Sequence, residues 1–263
     1  MDCLVCKSAM KFYFKKAFDD YGLKEVDYFR CGECGFCASK THYEMSYKEW
    51  SDLNFSYYSA NHRRTDNPYN QNQRYFNQAL MLNIIYRHGL IAGNRWLDWG
   101  SGNGNVASLL NKYFQISMDT YDKYFTSEFN NVEASSLEAK SFNFVMTTAV
   151  IEHLRTRSEL DEIEAYVAQT GCFSIHTLVA QSIPKDPYWM YLLPVHCSFF
   201  TNRSMDILME QWGYRCSVYN EKAKLWSLFR NEPSFIQSKS EGVNNSLGWE
   251  YLHYKIGFMD YWK

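Results

Sequence analysis

The stretch Trp96-Leu97-Asp98-Trp99-Gly100-Ser101-Gly102-Asn103-Gly104 decides how this 263-residue chain is read. An apolar run ends in an acidic residue, and glycines at alternate positions then lead into the helical pattern Val106 to Tyr113. Glycine at 100, 102 and 104 lets the backbone turn tightly and approach a ligand with no Cβ in the way. The helix behind them offers free N–H groups to an anionic group. A dinucleotide-binding fingerprint would place its third glycine at 105, where this chain has Asn105, so the spacing is D-x-G-x-G-x-G instead.

Outward from this loop, strand and helix signals alternate. Upstream, Phe76, Ala79, Leu80 and Ile84 sit at helical spacing, with Gly89 as a stop. Downstream, Gln115 to Tyr121 and Phe142 to Met146 read as strands. Ser158 with Asp161 reads as a capping box for a helix closing before Gly171, and Cys172 to Leu178 as a further strand. Met205, Leu208, Met209 and Trp212 form a helical face ended by Gly213, and Arg215 to Tyr219 and Lys224 to Phe229 read as closing strands. This alternation predicts an α/β domain with a Rossmann-like, doubly wound sheet.

The glycine loop resembles motif I of class I S-adenosylmethionine-dependent methyltransferases. The resemblance extends over about residues 75 to 230 and implies that Asp98 engages the ammonium side of the cofactor. It further implies that Gly100, Ser101, Gly102, Asn103 and Gly104 pack against the methionine moiety and ribose. Asp122 lies 24 residues after Asp98, where the family keeps an acid for the ribose hydroxyls; a carboxylate can take two donors at once. Asp119 is the alternative, in mid-strand. Phe142-Asn143-Phe144-Val145-Met146, then Val150-Ile151-Glu152-His153-Leu154, resembles the fourth strand and the V-I/L-E-H-L segment of methyltransferases acting on small molecules. There Thr147 to Val150, with Thr148 and Ala149 at the centre, line the cofactor, and His153 faces the cleft. Glu133 falls where an acid contacting the adenine amino group is often found. Asp66-Asn67-Pro68-Tyr69 is similar to the D/N-P-P-Y motif of methyltransferases acting on nucleic acid bases, but it does not end an apolar strand.

Five of the eight cysteines fall at 3, 6, 31, 34 and 37. Cys3-x-x-Cys6 and Cys31-x-x-Cys34 are thiolate pairs separated by 24 residues, and each pair can span one edge of a tetrahedral zinc site. Gly32 and Gly35 permit the backbone that thiolate knuckles need. The runs Lys11 to Phe14 and Val26 to Phe29 predict the hairpin of a zinc ribbon. Four protein ligands, Cys3, Cys6, Cys31 and Cys34, leave no open position, so the Zn2+ is expected to be structural. Cys37 offers a competing pair with Cys34, which leaves open a swap of ligand. Cys172, Cys197 and Cys216 read as buried apolar residues.

A zinc ribbon ahead of such a methyltransferase resembles sugar-modifying enzymes of deoxysugar and surface-glycan pathways, and also certain ribosomal RNA methyltransferases. The balance of 27 basic against 29 acidic residues, net charge −2, favours the small acceptor, because RNA binding wants a basic surplus. Asp186-Pro187-Tyr188-Trp189-Met190-Tyr191 followed by Pro194-Val195-His196-Cys197-Ser198-Phe199-Phe200-Thr201 resembles the W-x-Y … H-x-S-F-F/Y-T stretch of glycan-associated methyltransferases. That implies an aromatic cover over the acceptor, with Tyr188 and Tyr191 as walls. His153 and His196 are the candidates for a base near neutral pH; His176 is expected to be structural, and Tyr57, Tyr58 and His62 to form a lid.

The expected organisation is a zinc ribbon over 1–40, a linker or lid region over 41–73, an S-adenosylmethionine-binding methyltransferase domain over 74–230, and an extension over 231–263. No apolar run reaches membrane-spanning length and no signal segment is visible, so a cytoplasmic enzyme is expected. The expected function is methyl transfer to a sugar or glycan precursor. The alternatives are an RNA base methyltransferase and a non-catalytic cofactor-binding scaffold.

Overall fold

Strand-forming aromatics open the chain. In the computed structural model, which describes residues 1–61 and 68–260 apart from the side chains of 60, 61 and 68–72, Met10–Phe18 (β1) pairs antiparallel with Lys24–Cys31 (β2). Their turn carries left-handed backbone at Tyr21 and Gly22. Cys37–Ser39 (β3) follows, then the helices Lys40–Glu44 (α1), Tyr47–Asn61 (α2) and Pro68–Arg87 (α3). His62 of the expected lid, and the Asp66-Asn67 step, lie outside the described residues.

The alternating part begins with Trp96–Trp99 (β4), Asn105–Phe114 (α4), Asp119–Tyr121 (β5), Phe142–Thr148 (β6), Arg157–Ala165 (α5) and Val167–His176 (β7). It continues through Val179–Ala180 (β8), Ser198–Thr201 (β9), Asn202–Gln211 (α6), Cys216–Asn220 (β10), Leu225–Phe229 (β11), Pro233–Leu247 (α7) and His253–Ile256 (β12). Seven strands form one sheet in the order β12-β10-β11-β7-β6-β4-β5. β5, β4, β6 and β7 run parallel, while β11, β10 and β12 are antiparallel. This is the expected Rossmann-like α/β sheet, its central strands buried on both faces as parallel strands require.

The connection order reverses between β4 and β6, and ligands of open α/β sheets bind outside the carboxyl ends of strands at such a switch point. Both the glycine loop after β4 and the segment after β6 emerge there. The second sheet, β1-β2-β3-β9-β8, joins the cysteine-rich hairpin to strands from beyond residue 178 through the pairs Cys37–Phe199 and Ala38–Ser198. Thr201 strengthens the joint by donating its hydroxyl to the Cys34 carbonyl at 2.5 Å.

Three local expectations need correction. The buried face of α3 is Gln78, Ala79, Met81, Leu82 and Ile85; of the Phe76–Ile84 stripe Ala79 is buried and Ile84 packs against the core, while Phe76 sits at the rim against Tyr113 and Phe114 of α4. The capping box is Thr156 with Glu159, two residues earlier than Ser158 with Asp161. Thr156 Oγ1 accepts from the Glu159 amide, and the Glu159 carboxylate accepts from the Thr156 amide. The helix then ends at Ala165, leaving β7 to begin at Val167 rather than Cys172. Residues 231–263 contribute α7 and the edge strand β12.

Candidate active site

A cavity of about 650 Å³ opens at the switch point. On its floor lies the glycine loop. Gly100, Gly102 and Gly104 all take positive φ, and a Cβ on Gly100 would fall 2.4 Å from Val150 Cγ2. The Gly100 and Ser101 amides donate to the Tyr121 carbonyl at 2.7 and 3.2 Å, tying the loop to the end of β5. Asp98, Gly100, Ser101, Gly102, Asn103, Asp122, Thr148 and Ala149 all line the cavity. Gly104 stands behind it as the cap of α4, its Cα facing Ser127.

Asp98 is buried at the end of β4, and its Oδ1 has no partner among the described residues; Trp99 Nε1 and Ser101 Oγ are likewise buried and unpartnered. Burial, with Asp122 nearby, raises the Asp98 carboxyl from 3.8 to about 7. Asp122 is more committed. Its Oδ2 accepts from the Gly102 amide at 2.9 Å, and its Oδ1 from the amides of Tyr124 and Phe125 at 2.8 and 3.1 Å. Each carboxylate oxygen offers two lone pairs, so one position remains, on Oδ2. Asp119 starts β5 and Glu133 is exposed; neither lines the cavity.

Also in the lining, His153 and His196 come together with ring centroids 4.8 Å apart at 83°. A carbonyl only accepts, which assigns both tautomers. His153 Nδ1–H donates to the Val195 carbonyl at 2.8 Å, leaving Nε2 to accept from the Tyr58 hydroxyl at 3.1 Å. His196 Nδ1–H donates to the Tyr191 carbonyl at 2.8 Å, so its Nε2 carries a lone pair. Burial keeps both rings neutral, pushing His196 down to about 4 and His153 below its usual value.

Glu152 is the residue the sequence reading passed over. It is 2% exposed behind the two rings, accepting from Tyr191 Oη at 2.7 Å and Thr177 Oγ1 at 3.0 Å. Burial works to raise this carboxyl, but the neighbouring His153 and His196 and the Tyr191 hydroxyl outweigh it and hold it below its usual range. Arg74 was passed over as well. It lines the cavity from α3, and its Nη1 donates to His176 Nε2 at 3.2 Å while His176 Nδ1–H donates to the Lys224 carbonyl. His176 is therefore held structurally.

The aromatic cover differs from expectation. Tyr188 is 92% exposed, and Tyr191 is turned inward onto Glu152, so neither walls the cavity. The walls are Trp50, Tyr57 and Tyr58 from α2, with Trp99, Tyr121, Tyr124 and Phe125. Tyr57 and Tyr58, expected as lid residues, thus line the cavity, whereas Trp50 carries no local signal because α2 reaches the site only through the tertiary fold.

At the N-terminus, Cys3, Cys6, Cys31 and Cys34 converge, with Cys3–Cys34, Cys6–Cys31 and Cys6–Cys34 sulfur separations of 3.5, 3.4 and 3.7 Å. Cys37 stands apart in β3, packed among apolar residues with Phe199 and Cys197.

No curated protein matches the chain. Among solved structures, it is similar to an S-adenosylmethionine-dependent methyltransferase from Thermotoga maritima, with 15% identity over 64% of this chain and 97% of that one, at a TM-score of 0.42. The plantazolicin methyltransferase BpumL, solved with a substrate analogue and S-adenosylhomocysteine, shares 11% identity over 70% and 94% of the two chains, at 0.48. A methyltransferase from Archaeoglobus fulgidus shares 20% over 64% and 86%, at 0.40. The family model of a methyltransferase domain matches residues 69–217, more than half of the chain and the whole span from α3 into β10. The chain thus belongs to the methyltransferase domain family and is a class I S-adenosylmethionine-dependent methyltransferase.

Proposed function

We propose that the chain methylates a small, sugar-like acceptor seated between the glycine loop and the His153–His196 pair. The observation that carries this reading is that one cavity is lined both by Asp98 with the glycine loop and by His153 with His196.

S-adenosylmethionine supplies an electrophilic methyl on a sulfonium. The buried, unpartnered Asp98 Oδ1 suits its ammonium, and the free Asp122 Oδ2 lone pair suits a ribose hydroxyl. Gly100, Ser101, Gly102 and Asn103 let the backbone approach, Gly104 turns the chain into α4, and Thr148 and Ala149 close the side after β6. The Arg74 guanidinium suits a carboxylate. Methyl transfer depends on alignment of acceptor, methyl and sulfur, so holding the acceptor in place supplies most of the acceleration. Flat aromatic faces on α2 fit the apolar faces of a sugar ring. His153 and His196, neutral and with lone pairs fixed at Nε2, act on the acceptor's proton.

Zinc at the four N-terminal thiolates completes the reading. Zn–S bonds of about 2.3 Å set tetrahedral sulfur spacings of about 3.8 Å, close to the separations observed. No helix among the described residues is long and apolar enough to cross a membrane.

The test is transfer of labelled methyl to a panel of sugar and sugar-nucleotide acceptors. His196→Ala and His153→Ala are each expected to lower kcat by about 10²–10⁴-fold with cofactor affinity unchanged. Methylation of RNA but of no small acceptor would refute the proposal.

A further inference from the structure

The cluster behind the acceptor end has the donor set of a metal site. One ligand atom from each of Glu152, His153 and His196 lies within 4.8 Å of the others. We propose that these three residues bind a single divalent transition cation, in a site separate from the four thiolates; its role toward an acceptor rests on the reading of this end of the cavity given above.

Three observations support it. Both imidazoles have their Nδ1–H pinned on backbone carbonyls, of Val195 and Tyr191, which is how metal-binding histidines are commonly oriented from behind. That pinning leaves each ring its Nε2 as the ligand atom. Glu152 is a buried carboxylate that accepts from two hydroxyls, Tyr191 Oη and Thr177 Oγ1, and forms no ion pair with lysine or arginine among the described residues. Buried carboxylates are stable when paired or bound to a metal, and two hydroxyl donors are the kind of outer partner a ligating carboxylate keeps.

Two imidazoles and a carboxylate, with no sulfur, select borderline divalent cations such as Mn2+, Fe2+, Co2+ or Ni2+. Bonds of about 2.0–2.2 Å set ligand spacings of roughly 3–3.5 Å, so ligand atoms within 4.8 Å of one another must close by at most about 1.8 Å. Side-chain torsions about the pinned Nδ1 atoms can supply this. The cation takes the place of the Tyr58 hydroxyl at His153 Nε2. Three protein ligands leave open positions, and both histidines line the cavity, so an acceptor oxygen can complete the coordination; with the cation bound, the two Nε2 lone pairs are its ligands, and the histidines act on the acceptor's proton through the cation's polarisation of that oxygen rather than as free bases.

The experiment is titration of Mn2+ alone into the full-length protein, followed by the loss of the free-ion electron paramagnetic resonance signal. Mn2+ prefers nitrogen and oxygen donors, so it does not report on the thiolates. The expected result is one ion per chain, with affinity weakened about tenfold or more by His196→Ala and by Glu152→Gln, and methyl transfer that rises with bound cation. His196→Asn replaces any variant that fails to fold, and calorimetry with S-adenosylhomocysteine verifies each fold. No bound Mn2+ in a protein that binds cofactor and transfers methyl would overturn the metal site and leave the methyl-transfer reading intact. Mn2+ binding indifferent to all three substitutions would overturn it equally.

Discussion

Asp98 is where pH acts most directly on this site. Its carboxyl sits at about 7 in the folded chain, against an ordinary 3.8, because burial and the nearby Asp122 disfavour its charge. A raised folded pKa means that the folded state holds the proton more tightly. The stabilisation is therefore complete below about pH 4 and is lost as pH climbs through 7. Thermal melts of the cofactor-free protein should show Asp98→Asn gaining on the parent as pH rises from 5 to 8; parallel curves would refute this. An ammonium prefers the ionised form, so S-adenosylmethionine should bind roughly tenfold more weakly per unit below pH 7. Glu152 shows why part of the site escaped the sequence. Its neighbour His153 stood out in a motif, but the partners that define Glu152, Thr177 and Tyr191, lie 25 and 39 residues away.

At the scale of elements, the loop between β4 and α4 is fixed by its own backbone. Gly100→Ala puts a methyl 2.4 Å from Val150 Cγ2 on a backbone at φ +77°, so the loop or the segment after β6 must move. Cofactor binding should be lost or fall by more than about tenfold, at a stability cost of about 1–3 kcal/mol; chemical denaturation and calorimetry measure the two. A variant with parental affinity would contradict this role for the loop. Thr156→Ala, which removes the cap of α5, should cost about 1 kcal/mol and leave cofactor affinity alone. The loop and the strands on either side were legible because spacing, alternation and glycine placement are local. The cap was displaced by two residues because Ser158 and Thr156 are both competent and only the observed bonds choose between them.

Across the whole molecule, the two sheets are mechanically connected. β3 pairs with β9, and His196 stands two residues before β9, with the Cys197 amide donating to the Glu152 carbonyl at 2.9 Å. The cysteine cluster is therefore part of what holds the His153–His196 pair in place. Metal at four thiolates contributes on the order of 10 kcal/mol to folding of such a segment. Cys34→Ser is expected to lower the melting temperature and, through β3 and β9, to reduce methyl transfer more than cofactor binding. Equal losses of both would mean that the ribbon acts on stability alone. The cysteine pairs were legible from spacing, whereas the sheet that joins them to the acceptor end was not, because β9 is paired with a strand some 160 residues earlier. Of the aromatic walls on α2, Trp50 was hidden likewise, while Tyr57 and Tyr58 were legible as lid candidates.

The account rests on the cavity's being a cofactor site governed by Asp98. Calorimetric titration of S-adenosylhomocysteine measures this directly, and one molecule per chain should bind the parent. Asp98→Asn should weaken binding of S-adenosylmethionine by on the order of 2 kcal/mol, about thirtyfold, at pH 8. No binding to the parent, or equal affinity in the variant, would contradict it.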